Sequence, residues 1–112
     1  PGDLEAIVQD SLRGAPAAKA AWPLKASQED ISEQAAMIRV PTLVISGEKD
    51  QVDPPAVLQH ELMTRIAHAT MHILPGSGHL LPLEAPGDLA ELIRAFARPL
   101  IAATCQAHVV SA

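Results

Sequence analysis

Between Pro41 and Phe96 two short apolar runs alternate with two helical patterns, and this order limits the fold more than any other feature. Pro41 leads into Thr42-Leu43-Val44-Ile45, which stops at Ser46-Gly47. A strand apolar on both faces is the habit of a buried parallel sheet. Asp53 before Pro54 and Pro55 reads as an N-cap with proline in the first helical turn. The helix it opens is expected to reach about Ala67, with Val57, Leu58, Leu62 and Ile66 on one face. Thr70 to Leu74 is a second strand, closed by a Pro75-Gly76 turn. A last helix starts near Pro86 and carries Leu89, Leu92, Ile93 and Phe96 at i, i+3, i+4 and i+7, and Pro99 is expected to kink or end it. Strand, loop, helix, strand, loop, helix is an α/β unit whose two strands pair in parallel through a right-handed crossover.

The upstream part reads differently. Asp3 is placed to cap a helix to about Leu12, with Leu4, Ile7, Val8 and Leu12 at helical spacing, and Gly14 and Pro16 end it. Residues 14 to 26 are rich in Ala, Pro and Lys, with Trp22 before Pro23, and read as a connector or a loose helical lid. Ser27 precedes Asp30 by three, a capping-box-like start for a short helix through Ile31, Ala35 and Ile38. From Ala102 onward no period is visible. The expected organisation is 1–38 as helical connector, 39–101 as the α/β part and 102–112 as a tail.

Composition removes several functions. At 112 residues there is room for one domain at most. One Trp, one Phe and no Tyr leave no stacking platform for nucleic acid, and a net charge of −5 leaves no basic face for phosphates. A lone cysteine, Cys105, forms no internal disulfide, which points to a reducing, cytoplasmic compartment. No apolar run approaches the ~20 residues of a membrane span, and no basic-then-apolar leader opens the sequence.

In open α/β sheets the functional loops follow the carboxyl ends of strands. Here those loops are Gly47-Glu48-Lys49-Asp50-Gln51-Val52-Asp53-Pro54 and Pro75-Gly76-Ser77-Gly78-His79. An acidic residue after one strand and a histidine after the next can meet above the sheet. The carboxylate then fixes the imidazole tautomer and stabilises its protonated form, so the histidine becomes a general base. Asp50 also suits an ordinary turn, and Asp53 competes for the acid role, although its place before two prolines favours capping. Glu48 and Lys49 read as a solvated loop tip. His60, His68, His72 and His108 carry no motif. His68 and His72 are four apart, but a turn into a strand breaks the helical spacing a metal pair would use, so no metal site is expected. Ser77 sits too near His79 in the chain to serve as its nucleophile. Cys105 has no cationic neighbour to lower its pKa.

The stretch Pro41-Thr42-Leu43-Val44-Ile45-Ser46-Gly47-Glu48-Lys49-Asp50 resembles the penultimate strand and acid loop of the α/β-hydrolase superfamily. Met71-His72-Ile73-Leu74-Pro75-Gly76-Ser77-Gly78-His79 resembles its last strand and histidine loop, and Glu84-Ala85-Pro86 with the following helix its closing segment. Ile38-Arg39-Val40 fits the lead-in from the lid. The resemblance runs over about residues 30 to 98. It implies that Asp50 is the triad acid and His79 the triad histidine, and that Val52 and Leu80 line the substrate pocket. The nucleophile elbow of that superfamily, usually G-x-S-x-G, is missing: Ser46 has Val44 and Glu48 two residues away, and Ser77 has Pro75 and His79. No His-Gly oxyanion dipeptide occurs either.

The chain is therefore expected to be the end of a lid plus the C-terminal fragment of a doubly wound α/β-hydrolase sheet, two parallel strands with flanking helices. The resemblance implies a parent enzyme that hydrolyses a small apolar ester, lactone or related substrate without cofactor or metal. Dehalogenases, epoxide hydrolases and cofactor-free haloperoxidases share the superfamily. The fragment itself is expected to be inactive. The alternative is a non-catalytic α/β interaction module that forms a homo-oligomer through exposed strand edges.

Overall fold

The structure, a computed structural model, describes the backbone of residues 2–109 and the side chains of residues 4–103. Cys105 and His108 lie outside the described side chains. The chain divides into two compact units, Pro1–Gln34 and Ala35–Ala112.

The first unit is helical. Helix α1 spans Gly2–Arg13 and so starts one residue ahead of Asp3. Helix α2 spans Pro16–Leu24, where Ala-rich sequence and a proline in the first turn favour helix over an extended connector. A 3-10 turn follows over Ala26–Gln28. Ser27 lies inside that turn and does not cap the next helix. Asp30 does so instead: its Oδ1 accepts the backbone N–H of Ser32 at 2.9 Å and opens the single turn of α3, Ser32–Ala35.

The second unit holds the sheet. Strand β1, Thr42–Gly47, pairs in parallel with β2, Ala69–Leu74, in register from Thr42↔Ala69 to Gly47↔Leu74. Pro41 bars helix at the preceding residue, and the β-branched Thr42, Val44 and Ile45 suit a pleated strand. Among the described residues the sheet has these two strands. Full burial of the first strand does not hold: Thr42 to Ile45 are half-buried, and only Ser46 and Gly47 are buried. Two strands offer too little sheet to be covered on both faces.

Helix α4, Pro55–Glu61, joins the strands and is shorter than its apolar spacing suggests. It opens with Pro54 in the cap position, and no side chain caps it, so Asp53 is not a capping residue. It loosens after Glu61 because Met63 N–H reaches back five residues to Leu58, and the Thr64 hydroxyl takes the carbonyl of His60. Ile66 is buried all the same, in the turn ahead of β2. The rest of the buried apolar set among the described residues is Ala35, Leu74 and Leu81, with Leu74 closing the carboxyl end of β2. One helical turn, α5, Leu81–Glu84, follows the histidine loop. Helix α6 then runs over Pro86–Val109 and contacts β1. Pro99 does not end it, and the described residues after Ala102 stay helical as far as Val109. A proline inside a helix removes an N–H bond and crowds the carbonyl four residues back, against which the alanines that follow are strong helix formers.

Candidate functional site

The two loops beyond the sheet are joined backbone to backbone. Past the last ladder pair, Glu48 N–H donates to Leu74 O at 3.0 Å and Lys49 N–H donates to Ser77 O at 2.8 Å. The Glu48 carboxylate crosses the same gap and accepts Gly76 N–H at 2.8 Å. Glu48 is thus a tie between the loops, exposed as expected but not idle. Gly76 takes φ +72°, the left-handed region that favours glycine, and turns the chain out of β2.

Asp50 stands in the first loop with its N–H on Gly47 O at 3.1 Å. Its Oδ1 accepts the N–H groups of Val52 at 2.9 Å and Asp53 at 3.0 Å, a local side-chain turn that fixes the carboxylate. The His79 ring meets it from the second loop, with Nδ1 3.0 Å from Oδ2 and 3.2 Å from Oδ1. The Asp50 side chain is 7% exposed and that of His79 45%. A carboxylate accepts only, so Nδ1 donates, and the neutral ring carries its lone pair on Nε2. Among the described residues Nε2 has no hydrogen-bond partner.

Electrostatics reinforce the pair. Burial pushes the Asp50 carboxyl up, but the Asp53 N–H, the His79 ring and the Val52 N–H together hold it below its ordinary value. The hydrogen bond to Asp50 raises His79 against the opposing effect of burial, helped by the charges of Asp50, Asp53 and Glu84. An imidazole made more basic, with a free outward nitrogen, can take a proton from a hydroxyl or a water brought to Nε2.

Of the residues singled out from sequence, Asp50 and His79 come together. Val52 and Leu80 flank them in the chain and are largely exposed, 67% and 48%. Asp53 contributes its backbone N–H and its charge. Ser46 and Ser77 are buried, and neither hydroxyl bonds the His79 ring. A separate cleft of about 530 Å³ lies between β2 and α6, lined among others by Ile73, Asp88, Glu91 and Leu92. It includes none of Asp50, Val52, His79 and Leu80. Among the described residues no cluster of three His, Cys, Asp or Glu side chains suits a metal ion, and no helix is long and apolar enough to cross a membrane.

Sequence reading missed Glu84. Its Oε2 accepts Gly78 N–H at 2.6 Å and its Oε1 accepts Leu80 N–H at 2.9 Å, one on each side of His79. The available signal was an acidic residue one turn after the loop, ahead of Pro86, but with leucine rather than serine or threonine in the cap position the capping pattern is masked.

The family model described as serine aminopeptidase, S33, matches residues 1–86. The chain belongs to this family. It is a family of the α/β-hydrolase fold, in agreement with the resemblance carried by the two loops. The S33 match takes in both strands, Asp50, His79 and Glu84, and stops at the first residue of α6. No solved structure matches the chain significantly.

Proposed function

We propose that this chain supplies the acid and the histidine of a hydrolytic site, with Asp50 orienting His79 and His79 moving the proton. The observation that carries this reading is the double approach of His79 Nδ1 to a buried carboxylate already held by two backbone N–H groups. Nε2 takes the proton of an attacking hydroxyl as that oxygen adds to a carbonyl carbon. The ring then returns the proton to the leaving oxygen or nitrogen, and water releases the acyl group by the same path in reverse. The nucleophile comes from sequence outside these 112 residues, since no elbow pattern occurs among them. The family description speaks for serine in that role.

The substrate class we favour is a small apolar ester, lactone or related compound, cleaved in the cytoplasm without metal or cofactor. The family description adds an N-terminal peptide bond as the competing class. Full-length protein assayed with a short p-nitrophenyl ester and with an aminoacyl p-nitroanilide separates the two. In either assay His79→Ala should abolish turnover, and unchanged turnover in that variant would remove the reading.

A second reading has its own observation. Each strand of the two-stranded sheet has one edge without a strand partner among the described residues, and Ile73 and Ile93 are half exposed. Such edges recruit further strands. The isolated chain is therefore proposed to form a homo-oligomer, catalytically silent, through its sheet. Light scattering of the purified chain decides this, and a well-folded monomer counts against it.

A further inference from the structure

His79 is held by its backbone more than by its surroundings. With its side chain 45% exposed, packing alone does little to fix the ring. The chain on both sides of it is tied. Ser77 O is taken by Lys49 N–H at 2.8 Å. The N–H groups of Gly78 and Leu80 converge on one carboxylate, that of Glu84, at 2.6 and 2.9 Å. The fit is close, since a Cβ at Gly78 would stand 3.2 Å from each Glu84 oxygen. Capping α5 would require only the N–H of Leu80, its cap residue. The second bond, to Gly78, serves no helix end and closes a loop whose middle residue is His79.

We propose that Glu84 is a positioning residue for His79: by holding the N–H groups on either side of it, the Glu84 carboxylate fixes the ring against Asp50. This rests on reading His79 as the proton-transfer group of the site. The charged groups that face the ring are Asp50 and Asp53 from the acid loop and Glu84 from α5. The clamp is distinguished from a plain charge effect by its dependence on reach. Aspartate keeps the charge but is one methylene too short for both bonds. Glutamine keeps the reach but replaces one acceptor oxygen with a donor.

The test is NMR on the isotopically labelled 112-residue chain, reading the His79 ring nitrogens and the backbone amides. In the unmutated chain the neutral ring should be the Nδ1–H tautomer, and the Gly78 and Leu80 amide protons should shift together as Glu84 is protonated. Glu84→Asp and Glu84→Gln should both move the ring toward the mixed tautomers of free imidazole. Both should also lower the His79 pKa. A folded Glu84→Asp chain that keeps the tautomer and the pKa overturns the proposal in favour of charge alone, and a folded Glu84→Gln chain that keeps both overturns it outright. Should either variant fail to fold, the unmutated titration decides: Gly78 and Leu80 amides that ignore Glu84 protonation overturn the clamp. None of these readings needs turnover. An inactive full-length protein whose ring still responds to Glu84 removes the catalytic reading and leaves the positioning one. The reverse pattern removes positioning alone.

Discussion

The α-carbon of Gly47 faces the carbonyl oxygen of Gly78 so closely that a Cβ on Gly47 would lie 2.1 Å from it, with the Ser77 carbonyl oxygen at 2.5 Å. The last residue of β1 and the loop that carries His79 thus touch backbone to backbone. The obstructing atoms are main chain and cannot rotate away. Gly47→Ala must push the histidine loop off the sheet end, and it should cost about 3 kcal/mol, the upper range for overpacking. Urea unfolding measures this. A variant as stable as the parent would mean that the two loops do not meet as described.

Gly76 offers the contrasting case. Its φ is +72°, and a Cβ there would meet no atom within 4 Å. The penalty for Gly76→Ala is therefore conformational only, about 1 kcal/mol. Gly76→Asn should recover part of it, because asparagine tolerates the left-handed region. The same unfolding experiment orders the three: Gly47→Ala lowest, Gly76→Ala next, Gly76→Asn nearest the parent.

These two glycines mark where sequence reading stops. The strands were legible because Thr42 to Ile45 and Thr70 to Leu74 are bounded by proline and glycine, and Asp50 and His79 were legible because each stands in the loop after a strand. The end of α4 was not, since apolar spacing continues to Ile66 while the backbone departs from helix once the Thr64 hydroxyl competes for a helical carbonyl. The course of α6 past Pro99 was legible only as one of two outcomes, kink or end, because the lost N–H bond and the crowding of the ring stand against the helix formers around it. Glu48 and Glu84 escaped for another reason. Each bonds backbone N–H groups that have no residue-type signature, at Gly76, Gly78 and Leu80. Partners that are main chain leave no trace in a pattern of side chains.

Asp50→Asn tests orientation without changing shape. The amide is close in size to the carboxylate and can still accept the N–H groups of Val52 and Asp53 on its oxygen. It offers the ring no charge and does not enforce Nδ1–H. In the full-length protein kcat should fall by roughly 10²- to 10⁴-fold with KM little changed, the behaviour expected when the orienting acid of a triad is lost. An unaltered kcat would show that His79 finds its tautomer without Asp50.

Stability should depend on pH in opposite senses at the two residues. Asp50, subject to burial but held down overall by the Asp53 and Val52 N–H groups and by His79, lies below its ordinary 3.8 when folded. Its contribution is present above the unfolded value and is lost as pH falls through the folded one. His79 lies above its ordinary 6.5 when folded, chiefly through its hydrogen bond to Asp50. Its contribution is complete below 6.5 and is lost as pH rises through the folded value. Both contributions are complete only between about pH 4 and 6.5, bounded by the two unfolded values. Urea midpoints of the unmutated chain and of Asp50→Asn, taken from acid to alkaline pH, should differ most inside that window and converge at lower and higher pH. The convergence is expected to be incomplete on the alkaline side, because the neutral ring still donates from Nδ1 to the carboxylate. A constant difference across the whole range would mean that the pair contributes by shape rather than by charge.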